Sequence, residues 1–275
     1  MNMLTAPEFV ESYGGIGAAK CRLPIVKMFL LAVLAGAYIA LAGAMSNVAV
    51  HAVSNVSAAK ILSGVLFPLG LCMVILTGAE LFTGNCLIGI SVMQGKTTVG
   101  AMVKNLAVVY VGNMAGSIIV AALCAFFGQM NLSDGALAVF TIKTAAAKCA
   151  LPFANAFVLG ILCNFVVCTA VSLSLCGRDV SGRILGAFVP VCLFVISGYE
   201  HCIANMYYIP AGLFAMMNPV YAEAAAVAGV DVSGLNIGGL FLGNLLPVTM
   251  GNIIGGLLFA LLIGYCHGRV KVANR

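Results

Sequence analysis

Two short polar segments interrupt an otherwise apolar chain, and their side chains are the ones with chemistry to offer. The first reads Gly78-Ala-Glu-Leu-Phe-Thr-Gly-Asn85 and the second Gly198-Tyr-Glu-His-Cys-Ile-Ala-Asn205. Both carry a glutamate and an asparagine at the same offsets from the leading glycine. His201 can donate a hydrogen bond to an anion and exchange a proton near neutral pH. Thr83 supplies a hydroxyl donor from the other segment. Glu80 and Glu200 are matched between the segments, which argues for architecture: their carboxylates are expected to accept N–H bonds from opened backbone, as caps do. Asn85 and Asn205 are expected to tie up loose backbone in the same way. Lys148 stands where it either draws anions towards a vestibule or snorkels to an interface.

Catalysis finds no support in these residues. No nucleophile–base pair or metal triad accompanies His201, so neither an enzyme nor a metal nor another cofactor is expected. The eleven cysteines form no CxxC pair and no His/Cys cluster of ligand spacing, and read as small packing residues.

The elements that must hold these side chains follow from composition. Of 275 residues, 63% are hydrophobic and only 8% charged, and mean hydropathy is +1.13. A soluble domain carries about 25% charge. So few charges cannot cover the surface of a soluble protein this long. That excludes a soluble enzyme, a disordered chain and a nucleic-acid binder, and the +5 net charge must be read by its placement around membrane segments. Apolar runs long enough to cross a bilayer occupy residues 28–50, 106–127, 151–175 and 235–264. Two further runs, 61–77 and 184–197, lead into the polar segments and resume at 86–93 and 206–217. The count is six spans, the second and fifth discontinuous.

Orientation follows from the basic residues. With six spans, one side receives Lys20, Arg22, Lys27, Lys96, Lys104, Arg178, Arg183, Arg269, Lys271 and Arg275. The other receives Lys60, Lys143 and Lys148. This bias puts both termini in the cytoplasm. Residues 1–25 read as a cytoplasmic lead-in rather than a cleavable signal, because Glu8 and Glu11 interrupt any apolar core. Residues 26–265 form a single six-helix domain and 266–275 a cytoplasmic tail.

The halves repeat, over about 26–128 and 148–265. Asn105-Leu-x2-Val-x2-Gly112-Asn113-x2-Gly116 in span 3 matches Asn244-Leu-x2-Val-x2-Gly251-Asn252-x2-Gly255 in span 6. Phe29-x2-Ala32-x3-Gly36 in span 1 is paired with Phe153-x2-Ala156-x3-Gly160 in span 4. Three spans per repeat is an odd number, so the repeats are inverted, an architecture of transporters and channels. The two breaks should then meet near the bilayer middle and offer free N–H groups at half-helix N-termini to an anion.

These motifs, together with Ser197-Gly-Tyr-Glu-His-Cys-Ile-Ala-Asn-Met-Tyr-Tyr-Ile-Pro210 and Asn244-Leu-Leu-Pro-Val-Thr-Met-Gly-Asn-Ile-Ile-Gly-Gly256, closely resemble the formate/nitrite transporter family. The resemblance spans about residues 26–264. It implies an all-α polytopic homopentamer of aquaporin-like protomers in a bacterial inner membrane, each with its own pore. It further implies that Thr83 and His201 line the pore centre with Asn164 close to the histidine. Apolar constrictions are implied at Phe67, Leu71 and Phe194 on the outer side and Leu81 near the inner side, with Lys148 at the outer vestibule. Within the family, the hydrosulfide-channel branch is the one that this chain resembles most, through Leu-Phe-Thr-Gly-Asn-Cys at the first break and Tyr207-Tyr208 beyond the other. The expected activity is a passive channel for a small weak-acid anion: hydrosulfide first, formate or nitrite as alternatives, and proton-coupled transport as the rival mechanism.

Overall fold

The computed structural model describes residues 3–268 and is all-helical, its one extended pairing in that range being a bridge between Met3 and Gly177. Arg269, Lys271 and Arg275, with most of the expected tail, lie outside the described residues.

Helix α1 (Ala6–Cys21) precedes α2 (Ile25–Val50). Helices α3 (Val56–Leu66) and α4 (Pro68–Thr77) follow as one 22-residue apolar rod, jointed at Phe67 by Pro68. After the first break come α5 (Phe82–Asn85) and α6 (Ile88–Met93), then α7 (Val99–Phe126). The second half comprises α8 (Ala136–Cys149), α9 (Phe153–Cys176), α10 (Val180–Ile196), α11 (Cys202–Ala215), α12 (Pro219–Val227), a π-helical turn at Gly239–Leu245 and α13 (Leu246–His267). Among the described residues, five helical stretches are long and apolar enough to cross a membrane: α2, α3–α4, α7, α9 and the π turn with α13. The 17-residue α10 and 14-residue α11, which flank the second break, are apolar but each shorter than those five.

Starts are set by side-chain caps where the chain re-enters a helix. Asn55 accepts from Ala58 N, Thr98 from Ala101 N and Asp179 from Gly182 N. Helix α2 lies along α7, and α9 along α13. Their glycines let the backbones touch: a Cβ on Gly116 would strike Val33 O, and one on Gly255 would strike Ile161 O. Large apolar side chains such as Leu30, Val111, Ile119, Leu185 and Val189 face outwards, as lipid contact requires.

These contacts correct one sequence pairing. Gly116 sits against Val33 and Gly255 against Ile161, so Ala32 is equivalent to Gly160 rather than to Ala156. The expected register of span 1 on span 4 is therefore off by four residues. Four residues is close to one helical turn, so the slip preserves the apolar face, and only the partner helix reveals it.

Leu4 N donates to Cys176 O at 2.8 Å, Gln94 Nε2 to Val10 O at 2.7 Å and Lys96 Nζ to Glu11 O at 3.2 Å. The N-terminal helix, the 94–98 connection and the 177–179 connection thus share one face, called inner here after the charge bias. Helix α8, which hydropathy did not single out, lies on the opposite, outer face.

Candidate functional site

Two left-handed glycines open the breaks. Gly78 (φ 69°) ends α4 and Gly198 (φ 72°) ends α10, in a backbone region that favours glycine. Behind each, an N–H returns five residues: Ala79 N to Val74 O, and Tyr199 N to Phe194 O. The chain then runs non-helically to residue 81 in one half and 201 in the other.

One hydrogen-bond network, built twice, holds these breaks. Lys20 Nζ lies 2.7 Å from Glu80 Oε1, and Lys148 Nζ 2.9 Å from Glu200 Oε1. Asn85 Nδ2 donates to Glu80 Oε2 and Asn105 Oδ1, as Asn205 Nδ2 does to Glu200 Oε2 and Asn244 Oδ1. Asn105 Nδ2 reaches Lys20 O, and Asn244 Nδ2 reaches Lys148 O. The backbone itself is tied by Asn113 and Asn252. Asn113 Oδ1 accepts from Phe82 N at 2.9 Å while its Nδ2 donates to Ala32 O and Glu80 O. Asn252 Oδ1 accepts from Cys202 N at 2.9 Å while its Nδ2 donates to Gly160 O and Glu200 O.

Three expectations change in consequence. The carboxylates of Glu80 and Glu200 do not accept backbone N–H groups here; each takes an ammonium and an amide, because a buried charge needs a counter-charge first. Asn85 and Asn205 likewise bond side chains, not loose backbone. And the leading N–H groups of the half-helices, on Phe82 and Cys202, are already committed to asparagine oxygens rather than waiting for an anion. Lys148 does not snorkel: its ammonium is paired with Glu200 and stands 5.4 Å from the centre of the Tyr208 ring.

The structure brings His201 and Thr83 together, with Nε2 3.0 Å from Oγ1, both buried. His201 is also the N-cap of α11, its Nδ1 accepting from Ala204 N at 3.1 Å. An accepting Nδ1 carries no proton, so the neutral ring holds its proton on Nε2 and donates it to Thr83. The Thr83 hydroxyl keeps its own hydrogen for a further acceptor. Taking up a second proton would remove the lone pair that caps α11. Phe194 stacks on the imidazole, with ring centres 6.0 Å apart, and meets Phe67 edge-on at 6.1 Å. Asn164 is not bonded to the histidine; its Nδ2 donates to Asn252 O at 2.6 Å, and its Oδ1 faces the Cys168 thiol. It thus braces the residue that anchors the second break.

Cavities approach this centre from both faces. The outer one, about 530 Å³, runs past Lys60, Lys143, Lys148, Phe67 and Phe194 to His201. All three basic residues on the outer side of the charge bias line it. The inner one, about 170 Å³, lies among Tyr13, Lys20, Leu71, Leu81, Gly84 and Asn85. Leu71, expected on the outer side, therefore lines the inner cavity. It stands one helical turn beyond Phe67, about 6 Å deeper.

Sequence reasoning overlooked Lys20 as a site residue and read Asn113 and Asn252 only as repeat markers. Lys20 was legible in principle, since it lies 128 positions before Lys148, the same offset that joins Ala32 to Gly160. The wrong register of the first span hid it.

Comparison with known proteins agrees with this architecture. The family model described as formate/nitrite transporter matches residues 7–266. The formate channel FocA of Haemophilus influenzae is 36% identical over 234 residues, covering 84% of this chain and 82% of that protein. A pentameric formate channel with formate bound superposes with a TM-score of 0.76 at 34% identity, covering 88% of this chain and 96% of that one. The aquaglyceroporin from Plasmodium falciparum shares the fold at 14% identity, with a TM-score of 0.52 over 88% of this chain and 96% of its own. Matched along nearly its whole length, the chain belongs to the formate/nitrite transporter family and is a multi-pass membrane protein of helical, aquaporin-like fold.

Proposed function

We propose that the chain is a passive channel for a small monovalent weak-acid anion. It works as a homopentamer with one pore per protomer, in a bacterial cytoplasmic membrane with both termini inside. The observation that carries this reading is the Thr83–His201 pair, set between an outer cavity that reaches His201 and an inner one that reaches Leu81 and Gly84, with a Lys–Glu pair on each side. Moving an ion through an apolar constriction is costly without compensating partners. Lys60, Lys143 and Lys148 raise the local anion concentration outside. Phe67 and Phe194 on one side, and Leu71 and Leu81 on the other, strip water from whatever passes. At the centre His201 Nε2–H and the Thr83 hydroxyl turn from each other to the anion, which leaves once the two re-form their own bond.

The donor supply favours hydrosulfide. One Asn164 N–H goes to Asn252 O, and the donors that face each other at the centre are His201 Nε2–H and the Thr83 hydroxyl, enough for an ion that needs few hydrogen bonds. Formate is the second reading, favoured by the formate channels among the relatives.

The test is uptake of hydrosulfide, formate and nitrite into the same proteoliposomes by the parent protein and by His201→Ala. Hydrosulfide flux exceeding formate flux, with selectivity lost in a variant that remains pentameric, is the expected result. Equal or faster formate flux would replace hydrosulfide by formate. Unchanged flux of every anion in the variant would refute the role of His201, and flux that tracks an imposed pH gradient would replace passive conduction by proton coupling.

A further inference from the structure

The outer cavity is larger than a one-carbon or inorganic anion needs. At about 530 Å³ it has some three times the volume of the inner one, at about 170 Å³, and matches sites for drug-sized molecules, which span roughly 300–1,000 Å³. Aromatic side chains make up much of its wall: Phe67, Phe140, Phe194, Tyr199 and Tyr208. Its charges are unevenly paired. Glu200, the carboxylate on that wall, is bonded to Lys148, whereas Lys60 and Lys143 belong to neither ion pair among the described residues.

Lys60 reaches into this space. Its Nζ comes within 3.5 Å of the point that a Cβ on Gly198 would occupy, and Gly198 lines the cavity at the second break. A Cβ on Gly78, the matching residue of the first break, would meet nothing within 4 Å among the described residues. The outer break thus has an ammonium against it that the inner break lacks. An ammonium without a carboxylate partner, set beside aromatic walls, suits a ligand with an anionic head and a flat apolar body. Such a body goes no deeper. Phe67 and Phe194 meet edge-on with ring centres 6.1 Å apart, which is ring-to-ring contact and leaves no slot for a third ring.

We propose that the outer cavity is a binding site for an aromatic monocarboxylate, which plugs the pore and does not pass it. The carboxylate sits on Lys60 at the Gly198 turn, with Lys143 adding charge. The ring lies among Phe140, Tyr199 and Tyr208, above the Phe67–Phe194 constriction. The plug acts from the outer face alone, because the inner cavity is smaller and has no counterpart of Lys60 at its break. Binding stands apart from the anion-channel reading, and the block rests on it.

The probe is 2-naphthoate, with 2-naphthalenemethanol as its uncharged counterpart. Equilibrium dialysis against the detergent-solubilised full-length protein should give one saturable naphthoate site per protomer. Lys60→Gln should raise its Kd about tenfold, the loss of one hydrogen bond to a charged group, and Lys60→Arg should restore it. The alcohol should bind the parent about tenfold more weakly than the acid, for the same reason. On protein reconstituted in one orientation, naphthoate at the outer face should stop formate flux, and at the inner face leave it unchanged. Absence of saturable binding in the millimolar range, equal binding of the alcohol, or an unchanged Kd in Lys60→Gln would overturn the site. Equal block from both faces, or binding without block, would overturn the plug. A parent that binds naphthoate but carries no formate would defeat the channel reading, and the plug with it, while upholding the site.

Discussion

Replacing Asn252 by leucine tests whether the second break is held open by this one side chain. Leucine has the branching and the heavy-atom count of asparagine and is more apolar, so a purely packing role predicts equal or greater stability in this setting. The hydrogen bonds predict the opposite sign. Asn252 is fully buried and serves Cys202 N, Glu200 O and Gly160 O. Gly160 lies inside α9, whose own ladder already engages its carbonyl, so its loss weighs little. Cys202 N begins α11 and Glu200 O lies in the break, and neither has a helical partner to fall back on. Two orphaned backbone groups at about 1–1.5 kcal/mol each give a loss of ~2–3 kcal/mol. The assay is SDS titration of the detergent-solubilised protein followed by circular dichroism, with anion flux measured on the same preparation. Asn113→Leu is the internal replicate, since Phe82 N and Glu80 O stand in the same relation to Asn113. Both variants should lose similar stability and most of their flux. Either variant matching or exceeding the parent in stability would refute the claim that these asparagines anchor the breaks.

The charge pairs and the outer mouth give two further expectations. Lys148→Met alone or Glu200→Gln alone should destabilise by about 3 kcal/mol, because each leaves a buried partner unsatisfied, and the double variant should recover most of that loss; a strictly additive double variant would show that the pair is not coupled. Lys60→Gln combined with Lys143→Gln should slow anion entry from the outer face about threefold at low ionic strength, with the difference vanishing near 1 M salt, where the screening length falls to about 3 Å. A difference that persists in high salt would assign these lysines a contact role instead of a field.

How much of the site is legible in the sequence can be traced residue by residue. Gly78 and Gly198, spaced alike from a glutamate and an asparagine, announce both breaks, because a left-handed turn inside an apolar run has few other solutions. His201 and Thr83 stand out because polar groups are costly in a membrane and so are seldom there without a use. The register of the first span on the fourth is easily misread, since Ala, Gly and Phe recur at helical spacing there and a four-residue shift keeps one face. Helix α8 escapes notice because hydropathy finds helices by their burial in lipid, and this one is recognised by what it carries, Lys148 opposite Glu200.

Composition, charge bias and repeated motifs were enough to make this chain a membrane protein of two inverted halves with a polar centre. Those properties depend on each residue's own cost of transfer from water, which does not require knowing its neighbours. Which polar groups satisfy one another was decided only in the folded protein. Glutamate could have capped backbone or paired with lysine, and Asn113 and Asn252 could have been packing residues. The tertiary structure pairs Glu80 with Lys20 and Glu200 with Lys148, gives the opened backbone to the asparagines, and turns His201 so that one nitrogen caps α11 and the other meets Thr83. Hydrogen bonding is directional and short-ranged, so its partners exist only once helices distant in sequence have come within 3 Å or so of each other.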